Sequence, residues 1–161
     1  MRALRLFFSI HAAWLAVSLA AVAAEGPPSG LGAAMNYQLH CEGCHKADGT
    51  GQPGFIPRFT GVIGGLLAAP SGRDYLARVP GVAQSLLSDG DTAAVLNWIL
   101  RTYDPAGIPA DFRPYRAGDI ARARRAPLSD ATVHRQRLVN GLAGPGIDAD
   151  RDSQPAPLTA N

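Results

Sequence analysis

The chain's two cysteines stand three apart in Cys41-Glu42-Gly43-Cys44-His45, with a histidine directly after the second. Two thiols and an imidazole at that spacing suit covalent capture of a porphyrin. Each thiol adds across one vinyl group to form a thioether, and the histidine is then held under the iron with its Nε2 as proximal ligand. Attachment of this kind keeps a flat, bulky cofactor in a core too small to bury it otherwise. Two other chemistries use the same C-x-x-C. A dithiol redox pair belongs to strand-helix-strand surroundings, which the flanking sequence lacks. A structural zinc needs two further ligands, which His40, His45 and His134 could supply only awkwardly. The motif favours one covalently attached haem c, with Cys41 and Cys44 as attachment points and His45 as the metal ligand.

Such a motif must be presented by short helices. Leu31 to Cys44 lacks proline and carries Leu31, Met35 and Leu39 at four-residue steps, which predicts a helix running into the motif. Asp48 to Pro57 is loop by its turn residues. Short helices are expected over Val62 to Ala68 and over Ser71 to Val79, the latter ending before Pro80. Ser88, with Asp91 three residues on, is an acidic variant of the capping box ahead of Thr92 to Tyr103, where Val95, Trp98, Ile99 and Thr102 share one side. There is no internal repeat and no run of alternating strands, so the expected class is all-α with substantial loops.

Composition bounds the rest. The 161 residues suffice for one domain with tails. A charged fraction of 17%, with 13 Pro and 18 Gly and no glycine period, excludes a coiled coil, a polyelectrolyte tail and collagen. Residues 1–24 read as an export signal: Arg2 and Arg5 precede an apolar stretch, and Ala21, Val22, Ala23 and Ala24 suit a signal peptidase. Retained, the same stretch is nearly long enough to anchor the chain in a bilayer. The protein is therefore expected in the periplasm, anchored only if the segment is uncleaved. Residues 25–30 form a linker, 31–104 the haem-bearing domain, 105–140 an extension with two short helices near Ala117 to Arg125 and Asp130 to Asn140, the second capped by Ser129, and 141–161 a Gly- and Pro-rich disordered tail. From Arg113 to Arg137 seven arginines face only Asp119 and Asp130. They read either as a solvated face or as a docking surface for an acidic partner. Nucleic acid is excluded as a partner by export and by the lack of interleaved aromatics.

With these residues in view, Leu31 to Tyr103 resembles the monohaem class I c-type cytochromes. Tyr37, four residues before Cys41, is similar to the family's aromatic on the first helix, and Leu96 and Trp98 to apolar positions of its last. Leu87-Ser88-Asp89 resembles the turn into that helix, and Asp48-Gly49-Thr50-Gly51 the loop after the haem motif. Pro57 looks like the family proline whose carbonyl accepts the Nδ1 proton of the proximal histidine; taken alone it is a loop-ending turn residue. The chain departs from the pattern in two places. Gly32 precedes, and Ala33 occupies, the position of a family glycine, and no methionine follows Met35, although the family draws its sixth iron ligand from the loop here spanning Pro80 to Asp89. Met35 and His40 stand on the motif's own helix and cannot reach the opposite face. The sixth position is then open or water-filled, or taken by His134 or Gln84. The resemblance implies a cytochrome c-like helical domain around one haem, acting as a one-electron carrier between a dehydrogenase or quinol-oxidising complex and a terminal acceptor, at a lower potential than methionine-ligated members. The alternative is a haem sensor or small haem enzyme whose open distal site takes a diatomic gas or peroxide.

Overall fold

The computed structural model describes residues 28–142 and Ile147; the stretch read as an export signal, the start of the expected linker and most of the expected tail lie outside the described residues. Among the described residues seven α-helices follow in order, α1 Ala33–His40, α2 Glu42–His45, α3 Gly72–Arg78, α4 Pro80–Ala83, α5 Asp89–Tyr103, α6 Ala117–Arg124 and α7 Ala131–Asn140, with single 3-10 turns at Gly65–Ala68 and Pro105–Gly107. The same residues hold one isolated β-bridge, Gln52 to Ile56, and no strand. The fold is all-α, as the sequence implies.

The helix predicted through the motif is broken at Cys41, whose φ of −129° leaves the helical region. The chain re-enters as α2, where the Cys41 carbonyl accepts from both Cys44 N (3.2 Å) and His45 N (3.0 Å). Leu31, Met35 and Leu39 give the correct period but the wrong face. They are exposed, while Asn36 and Tyr37 are buried against α5. Apolar spacing reports helical period, and here the inward contact is made by an aromatic. Tyr37, 1% exposed, packs against Trp98 (5.0 Å between ring centres) and Tyr103 (5.5 Å).

α5 begins where its cap predicts: the Ser88 hydroxyl accepts from Asp91 N at 3.0 Å and donates to the Asp91 carboxylate at 2.9 Å. Val95, Leu96, Ile99 and Leu100 are buried, whereas Thr102 is exposed. Over Val62 to Ala68 the structure has turns and only one turn of 3-10 helix. The segment is held instead by Asp104, whose carboxylate accepts from Gly64 N (2.8 Å), Gly65 N (3.1 Å) and Gly107 N (3.2 Å).

The extension does not stand apart. Tyr115, Ile120, Ala123, Leu128, Leu138 and Val139 belong to the same hydrophobic cluster as Tyr37, Leu66 and Leu100, and Ile147 is buried against Gly65. Two polar devices fix it. The buried Asn97 side chain exchanges hydrogen bonds with the backbone of Tyr115, donating to its carbonyl and accepting from its N–H, each at 2.9 Å. Arg124 of α6 donates to Asp89 (2.5 Å), to the Ser85 (2.6 Å) and Leu87 (2.7 Å) carbonyls and to the Thr92 hydroxyl (3.1 Å). α7 is capped by Asp130, whose carboxylate accepts from Val133 N at 3.0 Å, and not by Ser129 one residue earlier.

Candidate functional site

A cavity of about 860 Å³ opens beside the motif. That lies toward the upper end of the roughly 300–1,000 Å³ of cofactor and ligand sites. One wall is the motif and the loop after it: Cys41, Cys44, His45, Pro57 and Phe59. α3 and α4 contribute Tyr75, Leu76 and Val82, with Val79 between them, α5 contributes Leu96 and Ile99, and α7 contributes Thr132 and Arg135. No aspartate or glutamate is among the described residues at this cavity, whereas Lys46, Arg58 and Arg135 all reach it.

His45 is held from two sides. Its Nδ1 lies 3.1 Å from the Pro57 carbonyl, which can only accept, so the ring carries its proton there and keeps the Nε2 lone pair for a metal. Phe59 stacks on the imidazole at 3.9 Å and 15°. Burial pushes the histidine below its ordinary value, the Pro57 bond opposes this, and the nearby Arg135 charge adds to it. A neutral imidazole is the form that binds iron. Burial raises the Cys41 thiol; Cys44 is exposed, and neither is in a disulfide.

The loop that returns the chain to Pro57 depends on glycine. Gly49 and Gly51 have φ of +69° and +64°, and a Cβ at Gly51 would fall 2.4 Å from the Ile56 carbonyl oxygen. Only glycine takes up such a backbone without strain. Gly51 N donates to the His45 carbonyl (3.1 Å), and the Tyr37 hydroxyl donates to the Lys46 carbonyl (2.6 Å). Two thiols on the rim, an imidazole with one nitrogen tied back and the other available, and a large apolar hollow fit a haem.

The sequence-derived ligands for the opposite side are elsewhere. His134 is exposed, its Nδ1 2.8 Å from the Asp130 carbonyl, and Gln84 is exposed and does not reach the cavity. Met35 is exposed on the outer face of α1, and His40 reaches the cavity only beside Cys41. What sequence reasoning missed is Tyr75 and Arg135. The signal was available for Arg135: Ala131, Arg135, Leu138 and Val139 share one helical face, and an arginine interrupts its apolar register.

Comparison with known proteins identifies the family. The chain is 32% identical to a cytochrome c-552 of Thermus thermophilus over 120 residues, covering 63% of this chain and 92% of the relative. It matches the cytochrome c-552 of a second Thermus thermophilus strain equally, at 32% over 120 residues and 81% of that protein. No protein-family model matches the chain. The chain belongs to the c-type cytochrome family, and with it to the electron carriers whose cofactor is covalently bound, iron-containing haem c. Its partners are, as a kind, redox proteins.

Proposed function

We propose that Cys41 and Cys44 form the two thioethers, that His45 is the proximal iron ligand, and that the protein is an exported carrier passing single electrons from a dehydrogenase or quinol-oxidising complex to a terminal acceptor. The observation carrying this reading is the His45 Nδ1 to Pro57 carbonyl contact of 3.1 Å beside the cavity that both cysteines line. Haem c, when bound, supplies a one-electron Fe(III)/Fe(II) couple. The chain's own residues do the rest. Pro57 and Phe59 fix the imidazole's tautomer and tilt. The apolar α3, α4 and α5 side chains exclude water, which favours a low local dielectric and little reorganisation. Phe55, which lines the same cavity and is 80% exposed, offers apolar contact area for a partner. Exposed aromatics of this kind are enriched where proteins meet.

Residues 1–24 direct export in this reading, and 31–104 with 105–140 make one functional unit. Among the described residues no helix is long and apolar enough to cross a membrane. The test is the mature protein from a host that matures c-type cytochromes: its mass should exceed that of the chain cleaved after Ala23 or Ala24 by one haem, and redox titration should show one n = 1 couple below the range of methionine-ligated relatives. A charge-transfer band from sulfur to iron in the oxidised spectrum would overturn the reading that no methionine supplies the sixth ligand, leaving His45 as the proximal one. A second reading, a sensor or small haem enzyme, is favoured by one observation: among the described residues no thioether or imidazole stands on the cavity surface contributed by α3, α4, α5 or α7.

A further inference from the structure

Lys46, directly after the proposed metal ligand, is the one non-glycine residue among the described residues with a positive φ. Its φ of 63° and ψ of 163° fall in a region that glycine enters freely and a residue with a Cβ does not. Such a conformation persists only where the surroundings over-determine it. Here they do so from three elements. Lys46 N donates back to the Glu42 carbonyl (2.7 Å), closing α2. The Tyr37 hydroxyl of α1 donates to the Lys46 carbonyl (2.6 Å), and the Tyr103 hydroxyl of α5 donates to the Ala47 carbonyl (3.0 Å). Two phenols from different helices thus grip consecutive carbonyls of the strained joint. Both phenols are themselves fixed. Tyr37 is 1% exposed, and burial, then Tyr103, push its hydroxyl upward, so it stays a donor. The Tyr103 ring lies over Gly49, where a Cβ would fall 2.6 Å from its Cδ1. Neither tyrosine lines the cavity, so what their hydroxyls do at the site passes through the backbone.

We propose that Tyr37 and Tyr103 are positioning residues for the proximal ligand: their hydroxyls hold Lys46 in its strained conformation, and that joint sets where His45, the last residue of α2, stands against the Pro57 carbonyl. The inference rests on the reading of His45 as the proximal ligand. With the two carbonyls released, Lys46 relaxes toward ordinary backbone, the end of α2 moves with it, and the Nδ1 to Pro57 contact of 3.1 Å lengthens. That contact supplies part of the imidazole's basicity. A weaker one makes the ring a poorer donor to Fe(III), so the potential rises.

The test uses the full-length haem-loaded protein. Two readouts follow the ligand: exchange of the His45 Nδ1 proton with deuterium, by NMR of the reduced protein under carbon monoxide, and the Fe(II)/Fe(III) ratio at the wild-type midpoint. Tyr37→Phe and Tyr103→Phe keep the rings, including the Tyr103 contact with Phe59, and remove only the hydroxyls. Each should speed the exchange by about tenfold and raise the ratio by about twofold or more. Lys46→Ala removes the lysine charge and keeps a Cβ, so it is the reference for Lys46→Gly. Against it, Lys46→Gly should leave both readouts unchanged and lower the unfolding constant by about fivefold or more, since glycine meets no strain there. Adding Lys46→Gly to Tyr103→Phe should restore slow exchange, and adding Lys46→Ala should not. Tyr115→Phe is the structural control: it loses a bond to the Arg73 carbonyl (2.8 Å) and should weaken the fold while moving neither readout. Three results overturn the proposal: tyrosine variants that lose stability with exchange and ratio unchanged; Lys46→Gly no more stable than Lys46→Ala; or no recovery when Lys46→Gly is added to Tyr103→Phe. Wild type that carries no haem fails the ligand reading itself, whereas haem-loaded wild type with indifferent tyrosines fails this inference alone.

Discussion

The two sides of the cavity are built by different means. On the motif side the hydrogen bonds that set the imidazole and its loop are mostly short in sequence: Tyr37 to Lys46, Gly51 to His45, and His45 to Pro57, twelve residues apart, with Tyr103 of α5 donating from farther along the chain to the Ala47 carbonyl. On the other side α3, α4 and the run up to Ser88 are held from far along the chain. Arg124 reaches Ser85 and Leu87 across 39 and 37 residues, and Leu128 N donates to the Arg78 carbonyl at 2.9 Å. Local contacts cost little loop-closure entropy, whereas the opposite side is tied down in part by contacts that close long loops to the extension. The chemistry of attachment and the shape of the space beyond it can therefore be disturbed separately.

The largest separation comes from Cys41→Ser with Cys44→Ser. All covalent haem should be lost, read as absence of haem-bound mass under denaturing conditions, while the Arg124 contacts stay as they are. Covalent haem surviving in that double variant would remove the assignment of both thiols. Arg124→Met attacks the other side. It strands the Asp89 carboxylate, which is 10% exposed, and removes the donor from two carbonyls. A loss of about 3 kcal/mol in denaturant unfolding is expected, with thioether attachment unchanged. A loss below about 1 kcal/mol would mean that the Ser85 to Leu87 run is held by packing alone. Asn97→Ala comes next. It leaves the Tyr115 N–H and carbonyl without their buried partner. The expected loss, by the same measurement, is about 2 kcal/mol.

This contrast also explains what could be read from the sequence. Cys41, Cys44, His45 and the Ser88 cap are local patterns, each made by residues within five positions of one another, and such patterns name their own chemistry. Pro57 needed the family resemblance, because twelve residues of loop separate it from His45 and only Gly49 and Gly51 show that the chain turns back. Arg124 could not be told from Arg125 in sequence, and Arg135 differed from Arg137 only in sharing a helical face with Ala131, Leu138 and Val139; Arg125 and Arg137 are exposed. What separates them is helical register against a core whose other half lies in α3 and α5. A charge run tells where the arginines are; packing decides which of them face inward. Leu31, Met35 and Leu39 show the converse, a true helical period whose direction only Tyr37, Trp98 and Tyr103 settle.

The smallest effect expected is a pH dependence confined to the extension side. Asp119 accepts from Arg116 N at 3.0 Å and pairs with Arg73 (3.0 Å) and Arg122 (2.5 Å). Burial raises its carboxyl, but the Arg116 N–H and the charge of Arg73 outweigh that, and the net shift is downward. A carboxylate whose folded value lies below its unfolded one binds fewer protons in the native state, so its stabilisation is complete above the ordinary value near about 3.9 and is lost as pH falls through the folded value. Unfolding followed from about pH 6 downward should show stability declining below about pH 4. Asp119→Asn should flatten part of that decline while leaving haem attachment untouched, since the residue clasps α6 to α3 on a face away from the motif. Because Asp119 is 24% exposed, the effect is modest. Salt should shrink it further. An acid limb identical in Asp119→Asn and wild type would show that protonation loosens the fold elsewhere, and that the Arg73 clasp contributes nothing measurable to holding α6 against α3.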